Sequence, residues 1–483
     1  MRGPAAPGPL SPELAGRLDA WLDAHEEELV ETIATLVRVP SVGEPYRPNA
    51  DHPFGDACAA AIDATRPLAR RWGLAWANHG YRAASLTLRG TGGDHTRPGV
   101  AFFSHLDVVP PNKTGWTGDP YELRRRGRWL VGRGSADNKG PAAAVLLALG
   151  FLAESGLAPT GDTVLYLGSD EERDMQDVQW LVPRIPAARV SLVSDCPFPA
   201  CVGEKGTIDG WLTAALDDPA LLLLEAGEAH NAVPDLARAR VRLASGEVRE
   251  LEVRGRAAHS AFPEKGVNAI GLVLARLTDD DVRGALRPET VDLLTQLAPV
   301  FSGWDGTRLG VARPADASGP TTAVATVLRL EGGRLHIRVN VRYPARADAT
   351  SVRADLERHA RGLRLSPEGI EESPAHLIDA NTPLVRGLVD IVNDQLGTSL
   401  APYEMGGVTH ARWIPGAVGF GPGRCDVAEP DGIGHGHEAD EGVSVDALLD
   451  AVRIYVRAVL WLDGQEQETR RDGDAGRGPG LAS

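Results

Sequence analysis

Three apolar runs in this chain each end on side chains of the kind that hold metal ions. Val100 to His105 leads into His105 and Asp107, Thr163 to Gly168 into Ser169-Asp170-Glu171-Glu172, and Val190 to Ser194 into Asp195. Short apolar runs bounded by turn residues read as strands covered on both faces, which is how parallel strands of an α/β sheet look in sequence. Ligands of such open sheets collect in the crevice beyond the strand C-termini. Distant stretches of sequence therefore point at one place.

Alternation along a strand puts His105 and Asp107 on one side. A histidine that gives one ring nitrogen to a divalent cation usually gives its other N–H to a carboxylate, and Asp107 is the right type for that partner. Asp137 lies in the glycine-punctuated loop Gly132-Arg133-Gly134-Ser135-Ala136-Asp137, where its two oxygens can bridge two ions. Glu171 and Glu172 leave their strand side by side and point in different directions, so one can ligate metal while the other takes a proton. An isolated Glu-Glu pair is ordinarily a solvated surface; this one follows an apolar strand. With His437 added, the set is two imidazoles and several carboxylates without cysteine, which suits a dinuclear site for zinc, with cobalt or manganese as the other candidates. Two such ions about 3.5–4 Å apart lower the pKa of a shared water toward roughly 7.

At 483 residues the chain is too long for one ordinary core, so two domains are expected. A formal net charge of -16 argues against nucleic acid and anionic membrane surfaces as partners. Cys58, Cys196, Cys201 and Cys425 are too few and too irregularly spaced for a disulfide framework or a cysteine zinc site, and are expected as reduced thiols. The start is rich in Pro and Gly without the apolar run of a signal peptide, and no stretch is long enough to span a bilayer. The expectation is a soluble cytoplasmic protein.

Along the chain, Ser11 and Pro12 form an N-cap and first-turn pair for a helix, or two in series, to about Arg38. A second amphipathic pattern covers Asp56 to Trp72. Pro141 opens an alanine- and leucine-rich helix that Gly156 closes. From about Gly206 the pattern changes to a strand over Glu250 to Ala258, a helix over Val267 to Leu277, and a hairpin of Thr322 to Leu330 with Arg334 to Tyr343. The α/β pattern resumes near Thr382, with a strand around Ala417 to Phe420 and a helix from Ser444 to about Leu462. The expected fold class is thus α/β: a catalytic domain with a mixed sheet flanked by helices, in two parts (11–205 and 374–463), with an inserted α+β lid domain (206–373). Residues 1–10 and 464–483 are expected as flexible termini.

Six motifs come in one order: H-L-D-V-V-P, G-R-G-S-A-D-N-K-G-P, G-S-D-E-E, V-S-D-C-P-F-P with G-E-K-G, A-A-H-S-A-F-P-E-K-G-V-N-A-I and G-H-G-H-E-A-D-E. In this the chain resembles the co-catalytic zinc peptidase family, which includes aminoacylase, desuccinylase, carnosine dipeptidase and bacterial dipeptidases of the PepV type. The resemblance spans His105 to Glu441. It implies two divalent ions, with His105 and Asp195 on one, Glu172 and His437 on the other, and Asp137 on both. It also implies Glu171 as general base and acid, Asp107 as the partner of His105, and a cis bond between Asp137 and Asn138. The family's last ligand stands four positions before a Glu, which selects His437 with Glu441; His435 is the runner-up.

The same resemblance makes His259 the lid histidine that reaches the substrate carbonyl and stabilises its oxyanion. H-N-A-V-P-D places Asn231 near that carbonyl, and N-V-R-Y-P makes Arg342 the holder of a substrate carboxylate. G-G-V-T-H-A-R, Gly406 to Arg412, resembles the dipeptidases' G-G-G-T-Y-G-R substrate loop, with Gly407, Thr409 and Arg412 as substrate-binding positions. Val408 replaces a glycine and His410 a tyrosine there, which leaves the substrate range open. The implied function is hydrolysis of dipeptides or short peptides with a free C-terminal carboxylate by metal-bridging hydroxide. An N-acyl-amino-acid deacylase is the alternative within the class, and a non-catalytic binding protein on the same fold the alternative outside it. A monomer is expected because the inserted lid is long; a homodimer is the other possibility.

Overall fold

A computed structural model describes residues 6–475 apart from 113 and 230, with 465–475 described for the backbone alone. The chain forms two compact units, one of Met1–Val202, Ile378–Pro402 and Thr409–Ser483, the other of Gly203–Leu377 and Tyr403–Val408. The expected boundaries at 206 and 373 fall just inside the second unit. Tyr403–Val408, expected within the catalytic domain, groups with that unit as well, so Gly407 belongs to it while Thr409 and Arg412 do not.

The first unit is built on a mixed sheet. Its strands run in the order Ala75–Asn78, Ala83–Leu88, Thr163–Gly168, Val100–His105, Val190–Val193 and Val418–Gly419, and Gly419 pairs with Cys201 beyond them. The Val100–His105 strand lies between Thr163–Gly168 and Val190–Val193, parallel to both, in a register that sets His105 beside Gly168 and Phe103 beside Val193. That register aligns the ends of the three apolar runs. All residues of Val100–His105 and Thr163–Gly168 are buried, as runs without alternation require.

Helices cover this sheet. Pro12–Val37 is a single helix, capped by Ser11 Oγ accepting from Leu14 N at 3.2 Å. Lys139–Glu154 starts two residues before Pro141, which sits in its first turn, where a proline's missing N–H costs nothing. Every residue from Lys139 to Leu152 is buried, so this helix lies between the sheet and the helices Pro12–Val37 and Val445–Ala475. The last helix differs from expectation: it continues past Leu462 to Ala475. The rest of the expected tail, 476–483, lies outside the described residues. At the other end Leu10 packs against the core and Gly8 O accepts from Arg457 Nε at 3.2 Å, so part of the expected flexible N-terminus is held.

The second unit is α+β. Seven antiparallel strands run in the order Val248–Arg254, Leu236–Arg242, Leu221–Ala226, Thr322–Glu331, Arg334–Tyr343, Gly206–Ala215 and Ser366–Ser373. Helices Ala269–Arg276, Pro288–Ser302 and Ala349–Gly362 supply the rest of its core. In Arg334–Tyr343 the apolar face, Leu335, Ile337, Val339 and Val341, is fully buried, as alternation predicts. Asn340 and Arg342 on the opposite face are buried as well.

Candidate metal centre

His105 is completely buried at the end of its strand. Its Nδ1 lies 3.0 Å from the Asp107 carbonyl oxygen and 3.4 Å from Asp107 Oδ1. With that nitrogen donating, Nε2 presents a lone pair toward Asp137 Oδ1 at 2.9 Å, with Asp195 Oδ2 at 3.7 Å and Glu171 Oε2 at 3.9 Å. The side chains of His105, Asp137 and Asp195 offer ligand atoms that all lie within 4.8 Å of one another.

Asp137 belongs to a second such group. Its Oδ2 is 3.2 Å from His437 Nε2, and that nitrogen is 3.0 Å from Glu172 Oε2. Asp137, Glu172 and His437 again present ligand atoms within 4.8 Å of one another. One carboxylate thus turns one oxygen to each histidine. The Asp137-Asn138 peptide bond is cis. Asn138 donates from Nδ2 to Asp195 Oδ1 at 2.7 Å and to Ser194 O at 2.8 Å, which orients Asp195. Nothing in the sequence marks Asn138 for this task except its place directly after Asp137.

Glu171 and Glu172 follow the Thr163–Gly168 strand, and their side chains diverge. Glu172 faces His437, whereas Glu171 reaches toward His105. Asp107 holds both main chains: its Oδ1 accepts from Glu171 N at 3.2 Å and its Oδ2 from Glu172 N at 3.0 Å. Its carboxylate therefore serves the glutamate loop more directly than it serves His105, whose nearer partner is the Asp107 carbonyl. Asp177, missed in the sequence, accepts from Ser169 N at 2.7 Å and Asp170 N at 3.1 Å and lies 3.3 Å from His410 Nε2. His410 is buried and sets its ring edge-on to that of His105, with centroids 6.3 Å apart. His435 points elsewhere: its Nδ1 pairs with Glu429 at 3.0 Å and it joins neither group.

So many facing acceptors shift one another. Burial raises the Glu171 carboxyl well above its ordinary value, and the charge of Asp195 adds to this. Glu172 is raised by burial and by Asp137. Burial opposes the charged form of His437, but Glu172 and Asp137 outweigh it and push the imidazole up to about 11. His105 rises for the same reason, through Asp107 and Asp137. A pocket where imidazole nitrogens face carboxylate oxygens at 2.9–3.2 Å needs protons or cations between them. The donor set, nitrogen and oxygen without sulfur and one carboxylate common to two groups, fits a pair of divalent cations.

The other expected site residues divide between the units. Thr409 and Arg412 are buried in the first unit, where Thr409 Oγ1 caps the turn His410–Trp413 by accepting from Ala411 N at 3.1 Å. In the second unit Ser260 links three of them: its N donates to Asn231 O at 2.9 Å, it follows His259, and its Oγ accepts from Arg342 Nη2 at 3.3 Å. Arg342 Nη1 also donates to Gly406 O at 3.1 Å, next to Gly407.

Residues 101–461 match Peptidase family M20/M25/M40. The chain is 27% identical over 472 residues, 90% of its length and 97% of the relative's, to the putative dipeptidase YtjP of Bacillus subtilis (strain 168). Its fold resembles human carnosine dipeptidase 1, with a TM-score of 0.61 at 14% identity, covering 95% of this chain and 100% of that one. It also resembles the di-peptidase Dug1p of Saccharomyces cerevisiae, with a TM-score of 0.59 at 11% identity over 92% of this chain and 98% of that one.

Proposed function

The chain belongs to peptidase family M20/M25/M40 and is a metallopeptidase; within that family we propose that it hydrolyses dipeptides or similarly short peptides bearing a free C-terminal carboxylate. The observation that carries the reading is Asp137, whose two oxygens face His105 and His437 separately. In this reading two divalent cations, zinc in the first place, are held by His105, Asp137 and Asp195 and by Asp137, Glu172 and His437. When bound, the cations polarise the scissile carbonyl and make a water acidic enough to attack it.

The chain's own groups do the remaining work. Glu171, buried and ligating in neither group, takes the proton of the attacking water and delivers it to the leaving amine. Asp107 keeps Glu171 and Glu172 in place, and Asn138 keeps Asp195 in place. Asn231, His259, Arg342, Gly407, Thr409 and Arg412 are taken as substrate-contacting residues, with His259 on the carbonyl and Arg342 on the carboxylate. The protein is proposed to act in the cytoplasm as a monomer. Among the described residues no helix is long and apolar enough to cross a membrane.

The test is turnover of cation-reconstituted protein against a panel pairing each free dipeptide with its N-acylated counterpart. Cleavage of the free dipeptides alone supports the proposal. Cleavage of only the N-acylated partners replaces it with a deacylase, and inertness toward both sinks it.

A further inference from the structure

Glu441 and Arg133 are both completely buried, and neither belongs to either group of ligand atoms. The Glu441 carboxylate nonetheless organises the loop that carries Asp137. Its Oε1 accepts from the main-chain N–H of Gly134 at 3.1 Å, Ala136 at 2.9 Å and Asp137 at 3.0 Å. Its main-chain carbonyl accepts from Gly132 N at 2.9 Å and Ser135 Oγ at 3.2 Å. The 132–137 loop is thus folded around one residue. Charge-assisted bonds of this kind orient strongly.

Glu441 Oε2 accepts from Arg133 Nη1, and Arg133 Nη2 donates onward to His437 O at 3.2 Å and Asn112 Oδ1 at 3.2 Å. The guanidinium carbon lies 5.3 Å from the centroid of the Trp116 ring. His437 needs such support, because its φ of 71° lies in the left-handed region that side chains other than glycine seldom occupy. A continuous path therefore runs from the main chain of Asp137 through Glu441 and Arg133 to the main chain of His437. The two residues that only the first ligand group contains have different supports, Asp107 for His105 and Asn138 for Asp195.

We propose that Glu441 and Arg133 are positioning residues that couple Asp137 to His437, so that they govern affinity for the cation held by Asp137, Glu172 and His437 more than for the one held by His105, Asp137 and Asp195. The inference rests on the two-cation reading above. Lysine at position 133 keeps a charge beside Glu441 but lacks the fork that reaches His437 as well. Glutamine at 441 keeps an oxygen for the three N–H groups but places an amide against Arg133.

The experiment is calorimetric titration of zinc into metal-free wild type, R133K and E441Q, with thermal unfolding of each metal-free protein as the measure of folding. Wild type is expected to take up two equivalents. In both variants the first equivalent should bind within about threefold of wild type and the second about 10–100-fold more weakly, with turnover recovering as zinc is raised. If E441Q does not fold, R133K alone decides. Equal weakening of both equivalents, or no weakening of the second in R133K, overturns the inference. Uptake of a single equivalent by wild type removes the two-cation reading itself, and the inference with it.

Discussion

Asp107 Oδ2 accepts the main-chain N–H of Glu172 at 3.0 Å, and its other carboxylate oxygen takes that of Glu171 at 3.2 Å. The two residues stand at the ends of adjacent parallel strands. One buried carboxylate thereby sets the direction of both the glutamate that faces His437 and the one that faces His105.

Asp107→Asn should disturb this more than its size suggests, because an amide offers one acceptor where the loop needs two. Activity or zinc affinity should fall about 10–100-fold, the usual effect of removing a support behind a ligand. Circular dichroism should show the fold retained. Steady-state kinetics giving wild-type turnover at limiting zinc would show that the glutamate loop holds itself.

Glu171→Gln should separate binding from chemistry. Neither ligand group includes Glu171, so the variant should keep the wild-type zinc content by elemental analysis. Its turnover should drop by roughly 10²–10⁴, the range for loss of a proton-transfer group. Loss of zinc in parallel with activity would instead make Glu171 a ligand.

His435 and His437 give a paired comparison. His437→Ala removes the ring 3.0 Å from Glu172 and should lower zinc uptake and activity together. His435→Ala removes only a contact to Glu429 and should leave turnover within about a factor of 3, as exposed substitutions do. The reverse ranking would move the last ligand to His435.

Asp162 makes a prediction about acid stability. Burial alone would raise its carboxyl, but the Gly90 N–H at 2.8 Å, His95 and Arg89 more than offset this and hold it below the ordinary range. A lowered carboxylate contributes stability above its unfolded pKa of about 3.9 and loses it as pH falls through the folded value. Asp162→Asn should cost about 1–3 kcal/mol near neutrality. The gap in thermal midpoint between variant and wild type should close as pH is lowered. A gap independent of pH would mean that the ionised form contributes nothing.

Much of this was written locally. The runs ending at His105 and Gly168 are covered throughout and the one ending at Val193 in its second half, as their apolar character suggests, and the residues after them emerge where the strands stop. Four alternating apolar residues in Arg334–Tyr343 likewise determined which face of that strand is buried. Short-range pattern carries such information because side-chain direction along a strand follows from backbone geometry alone.

Other features required chain segments from 57 to 265 residues apart to meet. The spacing to Glu441 favours His437 over His435, but how its ring reaches Glu172 depends on the turn at 434–441 and the left-handed backbone at His437. The burial of Arg342, the partnership of Asp107 with the glutamate loop and the task of Asn138 are similar cases. Each turns on a hydrogen bond whose donor and acceptor belong to different elements, and only packing brings those elements within 3 Å or so of one another. Residue types and strand ends were therefore decided by the sequence, and the pairing of oxygens with nitrogens by the tertiary fold.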